Sequence, residues 1–309
     1  MTLAFLTNWL GSVPPAAVPL LLACLGLILS ERAGVISLGI EGYLALGAMS
    51  AASVTLVSGQ PLLGVLAAVL ASSLLALGFG IAVVLLRCEQ ILAGLATMAI
   101  GLGAAGVIGR SYVHRTFEGI DSLQLGTLAE LPVLGKLLFA QDPLTYLAVL
   151  LTLACAWMLL RSRLGLRLRA VGEDPATADV AGVQVQAHQL LAVVLCGALA
   201  GLGGAYLALV ASNTWVENMV GGRGWIALAL VIFARWSPLR ALLGAFLFGA
   251  IEALLPRLQA IGLDAPVYLL GMLPYALTIA VLVIASCSPK RRGVEPAALG
   301  LAYLRQDRR

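Results

Sequence analysis

Three glutamates, Glu41, Glu217 and Glu252, stand at or inside long apolar runs of the sequence. A charge at the centre of a bilayer costs about 2.5–3.5 kcal/mol on insertion scales, so such residues face a bundle interior, a partner charge or water. Glu217 and Asn218 lie a few residues before Arg223, which allows either a local salt bridge with that arginine or contact with a polar solute. Glu41 is flanked by Gly39 and Gly42. That pattern suggests a backbone interruption at membrane depth, a feature that recurs where transporters hold polar solutes. A purely structural role fits Glu41 equally well. With Asn213 these residues are the candidates for lining a polar path.

A second cluster lies in a hydrophilic stretch. Asp174 stands directly before Pro175, and ATADVA and Gly182 follow. Aspartate is a favoured N-cap, proline a favoured first helical residue, and glycine a favoured left-handed stop. Together they delimit a helix of about seven residues, roughly 10 Å long. So short a helix does not hold itself in water. It must dock, either on its own protein or on a separate partner.

No chemistry of bond making is visible. GxxxxGK[ST], HExxH and GxSxG are all absent, so the chain does not itself cradle ATP phosphates. His114 and His188 have no nearby ligand set, and no metal site is expected. Cys24, Cys88, Cys155, Cys196 and Cys287 fall in or beside apolar segments without paired spacing and read as small buried hydrophobes. The run GLGAAG at 101–106 fits a dinucleotide pattern, but no strand precedes it and no acidic residue follows for a ribose. Close helix packing explains it and the Gly197–Gly201 pair better.

The elements that position these residues are membrane helices. Only 11% of the 309 residues are charged and mean hydropathy is +1.01, whereas a soluble domain carries roughly a quarter charged residues. A spanning helix needs about 20 mainly apolar residues. The sequence places such segments at 14–29, 34–57, 62–86, 91–109, 143–160, 188–211, 224–235, 238–254 and 267–286. None alternates as barrel strands do. The fold class is therefore all-α and polytopic, with about 8–10 helices. The segment 224–235 is too short to cross alone and is expected to be broken or re-entrant, packed inside the protein.

Charge sets the orientation. If the loop 161–187 faces the cytoplasm, 14 of the 19 Lys and Arg fall on its side. The other five are Arg110, Arg115, Lys136, Arg223 and Arg257. This is the positive-inside bias, and it puts the C-terminus inside. The N-terminus lacks the basic region and cleavage site of a secretory signal, so the whole chain is expected to be retained. Residues 1–287 read as one transmembrane domain. The basic stretch 288–309 reads as a solvated or headgroup-facing cytoplasmic tail. The net charge of +4 thus reflects the membrane and not nucleic acid.

Three stretches then carry a resemblance: ERAGVISLGIEG at 31–42, GEDPATADVAG at 172–182, and VENMVGGRGWIALAL at 216–230 continuing into FARWSPLR at 233–240. In this order they resemble the inner-membrane permeases of bacterial ABC importers for ribose, simple sugars and nucleosides, the nucleoside-type branch above all. The similarity runs from about residue 15 to 286. It implies an all-helical permease of the general kind seen in the cobalamin importer. It also implies a second, different but homologous permease chain (as nucleoside-type systems pair two), cytosolic ATPase subunits that bind ATP and magnesium, and an extracytoplasmic solute-binding protein. Gly172, Glu173, Asp174, Pro175, Ala178, Asp179 and Gly182 would then form the element that couples to the ATPase. This chain itself would bind no cofactor and catalyse nothing. Ser37 stands where the family usually has Asn and is a further path candidate, and Ala176 stands where Arg is common. The expected function is ATP-driven import of nucleosides by alternating access at the inner membrane. Import of ribose-like sugars, or a stand-alone secondary transporter or channel, are the alternatives.

Overall fold

The computed structural model describes residues 3–123, 139–260 and 295–303, together with Met272, Ala276, Ile279, Ala280 and Val283. The helices, in chain order, are α1 (Leu3–Gly11), α2 (Val13–Arg32), α3 (Ile40–Ser58), α4 (Pro61–Gly80), α5 (Gln90–Gly109), α6 (Pro143–Arg161), α7 (Arg163–Glu173), α8 (Pro175–Val180), α9 (Val185–Tyr206), α10 (Arg223–Ala234) and α11 (Pro238–Ala260). The last turns of α4 and α9 widen into π-helical turns at Ile81–Leu85 and Leu207–Ser212. Among the described residues there are no strands, only isolated bridges from Val113 and Thr116 to Trp215 and Thr214. Among the described residues six segments are long and apolar enough to cross a membrane: Thr7–Arg32, Ile40–Ser58, Pro61–Leu85, Gln90–Tyr112, Pro143–Arg161 and Val185–Ser212. The fold is all-α and polytopic, as the composition demands.

Local chemistry sets the helix ends. Pro61, Pro143 and Pro175 open α4, α6 and α8 where a missing N–H costs nothing. Glu89 caps α5 by accepting from the Ile91 and Leu92 amides. Asp142 caps α6 through the Thr145 amide and hydroxyl, and the buried Tyr206 hydroxyl donates to it at 2.8 Å.

Burial sorts the helices into two layers. α2 is buried almost throughout, against α9, α10 and α11, and α9 in turn packs on α3 and α4. A helix apolar on every side belongs at such a centre. α4 and α6 instead turn leucines outward, Leu62, Leu66, Leu70 and Leu74 on one and Leu150, Leu153 and Leu160 on the other. These stripes recur at helical spacing and suit lipid. Small residues let the central helices approach: Gly197 and Gly201 of α9 press on α4 at Ser72, and Gly101 of α5 presses on Gly42 of α3. Gly103 and Gly106 of the same run meet no neighbour, so only one glycine of the GLGAAG pattern serves packing.

Three expectations need correction. The segment 34–57 is not continuous: residues 33–39 leave the helix, Gly34 takes φ +86°, and α3 begins only at Ile40. The freed backbone finds side-chain partners, with the Ile36 amide donating to Gln90 Oε1 at 2.8 Å and the Ser30 hydroxyl donating to the Val35 carbonyl. The tail is not wholly solvated either, because Pro296 and Ala298 are buried. Finally, α11 extends to Ala260, six residues beyond the expected end. The expected segment 267–286 lies outside the described residues apart from the five single positions.

Candidate functional site: a half-helix between two motif stretches

α10 has 12 residues and is about 18 Å long, little more than half of a hydrocarbon core of about 30 Å. The expectation of a broken segment therefore holds. The chain enters α10 from residues 213–222, which form turns and no helix. A helix that starts inside the protein has orphan amides at its start, and these need acceptors. Glu41 supplies both oxygens. The Gly222 amide donates to Oε1 at 2.7 Å and the Gly224 amide to Oε2 at 2.6 Å. The carboxylate also stands at the positive end of the helix dipole. Two glycines make this possible. Gly222 adopts φ +83°, and a side-chain carbon at Gly224 would sit 2.6 Å from Glu41 Oε2.

The far end of α10 is held by the same stretch that carries Glu41. Arg235 and Trp236 both take left-handed conformations, φ +52° and +53°, to turn the chain into α11. Such geometry is rare for residues with a Cβ and survives only where neighbours fix it. Here the Trp236 indole donates to Glu31 Oε2 at 2.6 Å, and the Arg32 guanidinium donates to the Trp236 carbonyl. Residues 31–41 thus run alongside α10, gripping its end through Glu31 and Arg32 and its start through Glu41. Trp236→Phe leaves the buried Glu31 carboxylate without this donor. It is expected to cost about 1–3 kcal/mol, read as a fall in the thermal unfolding midpoint of the detergent-purified protein.

Glu252 of α11 forms an ion pair with Arg223. The same guanidinium donates to the Met219 and Val220 carbonyls at 3.0 Å. The local pairing of Arg223 with Glu217 is therefore replaced by a pairing across helices, because Arg223 points from the start of α10 toward α11. Glu217 and Asn218 are exposed, Asn218 with φ +59°. Ser37 is buried, with its hydroxyl 3.3 Å from the Tyr43 hydroxyl, to which it donates. Asn213 is exposed at the end of α9, and its carbonyl accepts from the Phe117 amide. The structure thus gathers Glu41 and Glu252 about α10 and leaves Asn213 at the edge.

The second cluster folds as its residue types direct. Asp174 caps α8, its Oδ1 accepting from the Ala176 and Thr177 amides at 3.0 Å and its Oδ2 from the Thr177 hydroxyl at 2.5 Å. Gly182 closes the turn at φ +83°. These bonds, the Thr177 hydroxyl first, hold the Asp174 carboxyl below its ordinary value. A lowered folded value means that the cap is complete above the usual aspartate range and is lost only as pH falls through the lowered value. Hydrogen exchange of the Ala176 and Thr177 amides should therefore be indifferent to pH-driven uncapping near neutrality and show it only on strong acidification. Asp174→Asn should abolish that acid-induced fraying.

α8 docks on its own protein. Ala178 packs with Val171 and Val185, and Tyr303 lies beside them. Gly172, at the end of α7, lies against the Arg32 carbonyl and the Gly34 amide. Residues 295–303 tie the two together. Ala298 donates to the Gly172 carbonyl at 2.9 Å, Gly300 to the Gly34 carbonyl at 3.1 Å, Ala297 to Glu173 Oε2, and the Tyr303 hydroxyl to Asp179 Oδ2 at 3.0 Å. Sequence reasoning missed Glu31, Arg32, Trp236 and Tyr303 as fixing residues. Their partners lie 124 to 205 residues away in the chain, so no local signal marks them. Among the described residues no three His, Cys, Asp or Glu side chains cluster as metal ligands would.

The three stretches that carry the resemblance are therefore one assembly: 172–182 bears on 31–41, and 31–41 bears on 222–236. Comparison with known proteins agrees. The chain is 37% identical over 98% of its length to a putative glucose ABC transporter permease of Haloferax volcanii, covering 99% of that protein. It is 34% identical over 94% of its length to a guanosine ABC transporter permease of Bacillus subtilis, covering 95% of it. A nucleoside ABC transporter permease of Lactococcus lactis is 33% identical over 89% of the chain and 92% of that relative. No solved structure matches the chain. The family described as the permease component of the branched-chain amino acid transport system matches residues 12–282, and the chain belongs to it.

Proposed function

We propose that this protein is a permease subunit of an ATP-driven importer that moves nucleosides across the inner membrane. The observation that supports it most is the union of the capped α8, the 31–41 stretch and the half-helix α10 in a chain 33–34% identical to guanosine and nucleoside permeases. The α8 end faces the cytosol, in keeping with its excess of Lys and Arg. ATPase subunits, which hold ATP and magnesium, bear on α8. A second permease, homologous but different, completes the path, and an extracytoplasmic binding protein delivers the solute.

Mechanism follows from the contacts. α8 is too short to bend and packs on α7 through Ala178 and Val171, so a push on α8 moves Gly172. Gly172 rests on Arg32 and Gly34, and that stretch holds both ends of α10. ATPase closure therefore tilts the half-helix at mid-membrane, opening the path to one side and then the other. Sugar import is the second reading, favoured by the glucose permease relative.

The test is ATP-dependent uptake of labelled guanosine, glucose and ribose into proteoliposomes holding the chain with its co-purifying partners. Wild type is compared with a variant carrying Glu173→Ala, Asp174→Ala and Asp179→Ala. Guanosine uptake that needs ATP and collapses in the variant supports the reading. Uptake of glucose or ribose alone transfers the assignment to sugars, and uptake indifferent to ATP and to α8 removes the importer.

A further inference from the structure

The loop before α10 poses a problem of solvation. Its backbone is irregular and runs from Asn213–Trp215, which pair with residues 113–117 beyond the end of α5, inward to the Glu41-capped start of a helix that covers only about half of the bilayer. Irregular backbone at this depth is tolerated only where it is buried in protein or lines water. Part of the loop is buried: Trp215 and Val220 are sealed, and Arg223 folds back on the Met219 and Val220 carbonyls. Glu217, Asn218 and Gly221 are exposed. A carboxylate and an amide at that depth cannot face hydrocarbon cheaply, so this side of the loop faces water. The same side continues along α10 as Trp225 and Ile232, which are 42% and 44% exposed and one helical face apart by seven residues. The opposite face of α10 is packed on α2 and α11.

We propose that Trp225, with Asn218 and Glu217 above it, is a waypoint for a flat heterocyclic base bearing a polyhydroxylated sugar. The inference rests on the reading of the chain as a nucleoside permease and adds the site to it. The indole is the one large aromatic surface on the exposed face of α10. It stacks a base without regard to the base's identity, as aromatic platforms do for nucleic-acid bases. The Asn218 amide donates and accepts, and the Glu217 carboxylate accepts from sugar hydroxyls. Arg223 does not serve as a cation of the set, because it is committed to Glu252 and two carbonyls. The site therefore takes uncharged nucleosides in preference to nucleotides, whose phosphate would meet Glu217.

The experiment uses the reconstituted complex in a background without native cysteines. Trp225→Cys, Asn218→Cys and, as the lipid-facing control, Leu243→Cys (73% exposed on α11) are treated with a membrane-impermeant thiol reagent. The expected result is reaction at 225 and 218, none at 243, and slowing by guanosine but not by guanosine monophosphate. Uptake through Trp225→Ala should fall at least about fivefold for guanosine, with Trp225→Phe close to wild type, which is the lower range for loss of a base-stacking ring. Cysteines at 225 and 218 as inert as that at 243 would overturn the proposal, and so would reaction that guanosine leaves untouched. If the wild-type complex carries ribose and no nucleoside, the nucleoside reading fails by itself. Ribose protection with full ribose uptake by Trp225→Ala would then overturn base stacking while leaving the surface wet.

Discussion

Glu41→Ala is expected to abolish uptake and to lower stability by about 3–6 kcal/mol. The value follows from two hydrogen bonds to a charged acceptor, each contributing about 1.5–3 kcal/mol, at a carboxylate that is only 5% exposed. Among the described residues Glu41 is the side chain that accepts from the Gly222 and Gly224 amides at the start of α10. Glu41→Gln should be intermediate. Its carbonyl oxygen accepts from one amide, but its NH2 then confronts the other, donor against donor. Glu41→Asp keeps the charge and withdraws it by about one bond length, 1.5 Å, beyond the reach of a 2.7 Å contact. The order of unfolding midpoints in detergent should be wild type, then glutamine, then alanine. An alanine variant that melts and transports like wild type would remove Glu41 from its place as the cap of α10.

Gly172→Val is expected to separate ATP hydrolysis from transport. A Cβ at 172 would overlap the Arg32 carbonyl oxygen and sit 2.9 Å from its carbon and 3.2 Å from the Gly34 nitrogen. Those atoms are backbone and cannot swing away. Overpacking of this kind costs about 1–3 kcal/mol, less than the loss of the Glu41 cap, so the chain should still insert and fold. α8 keeps its outward face, and the ATPase should still bind and hydrolyse. Uptake should fall at least tenfold, with hydrolysis by the assembled complex retained. Equal loss of both activities would mean that Gly172 matters only for folding, and unchanged uptake would break the proposed route from α8 to α10.

The sequence made some of this legible because the physics was local. The Asp174-Pro175 start and Gly182 stop are short-range signals, and α8 spans Pro175–Val180 within a residue of the expectation. A 12-residue apolar run is too short to cross a bilayer wherever it occurs, so the half-helix was visible too. The glycines about Glu41 announced a break, but its position was set elsewhere. Residues 33–39 leave the helix where Gln90 and Gly300 offer partners that no neighbour in sequence reveals. Of the two roles the spacing left open for Glu217, the local salt bridge with Arg223 is not formed for the same reason, since Glu252 lies 29 residues from Arg223 and reaches it through the packing of α10 on α11. The tail reads as solvated by composition, and only the four hydrogen bonds to the α7–α8 turn and Gly34 make it otherwise.

Those four bonds also impose an order of events on biogenesis. Tyr303 follows Asp179 by 124 residues. At translation rates of about 5–20 residues per second it emerges roughly 6–25 s later. Throughout that interval the α7–α8 surface is present but unlatched, and an ATPase that met it early would find a helix without its clasp. Residues 295–303 thus act as a completion mark: the surface that the proposed function gives to an ATPase takes its final form only after they have been made. A chain stopped short in α11 would display the six spans from Thr7 to Ser212 and still lack these four bonds, which separates insertion from completion of the α7–α8 surface in time.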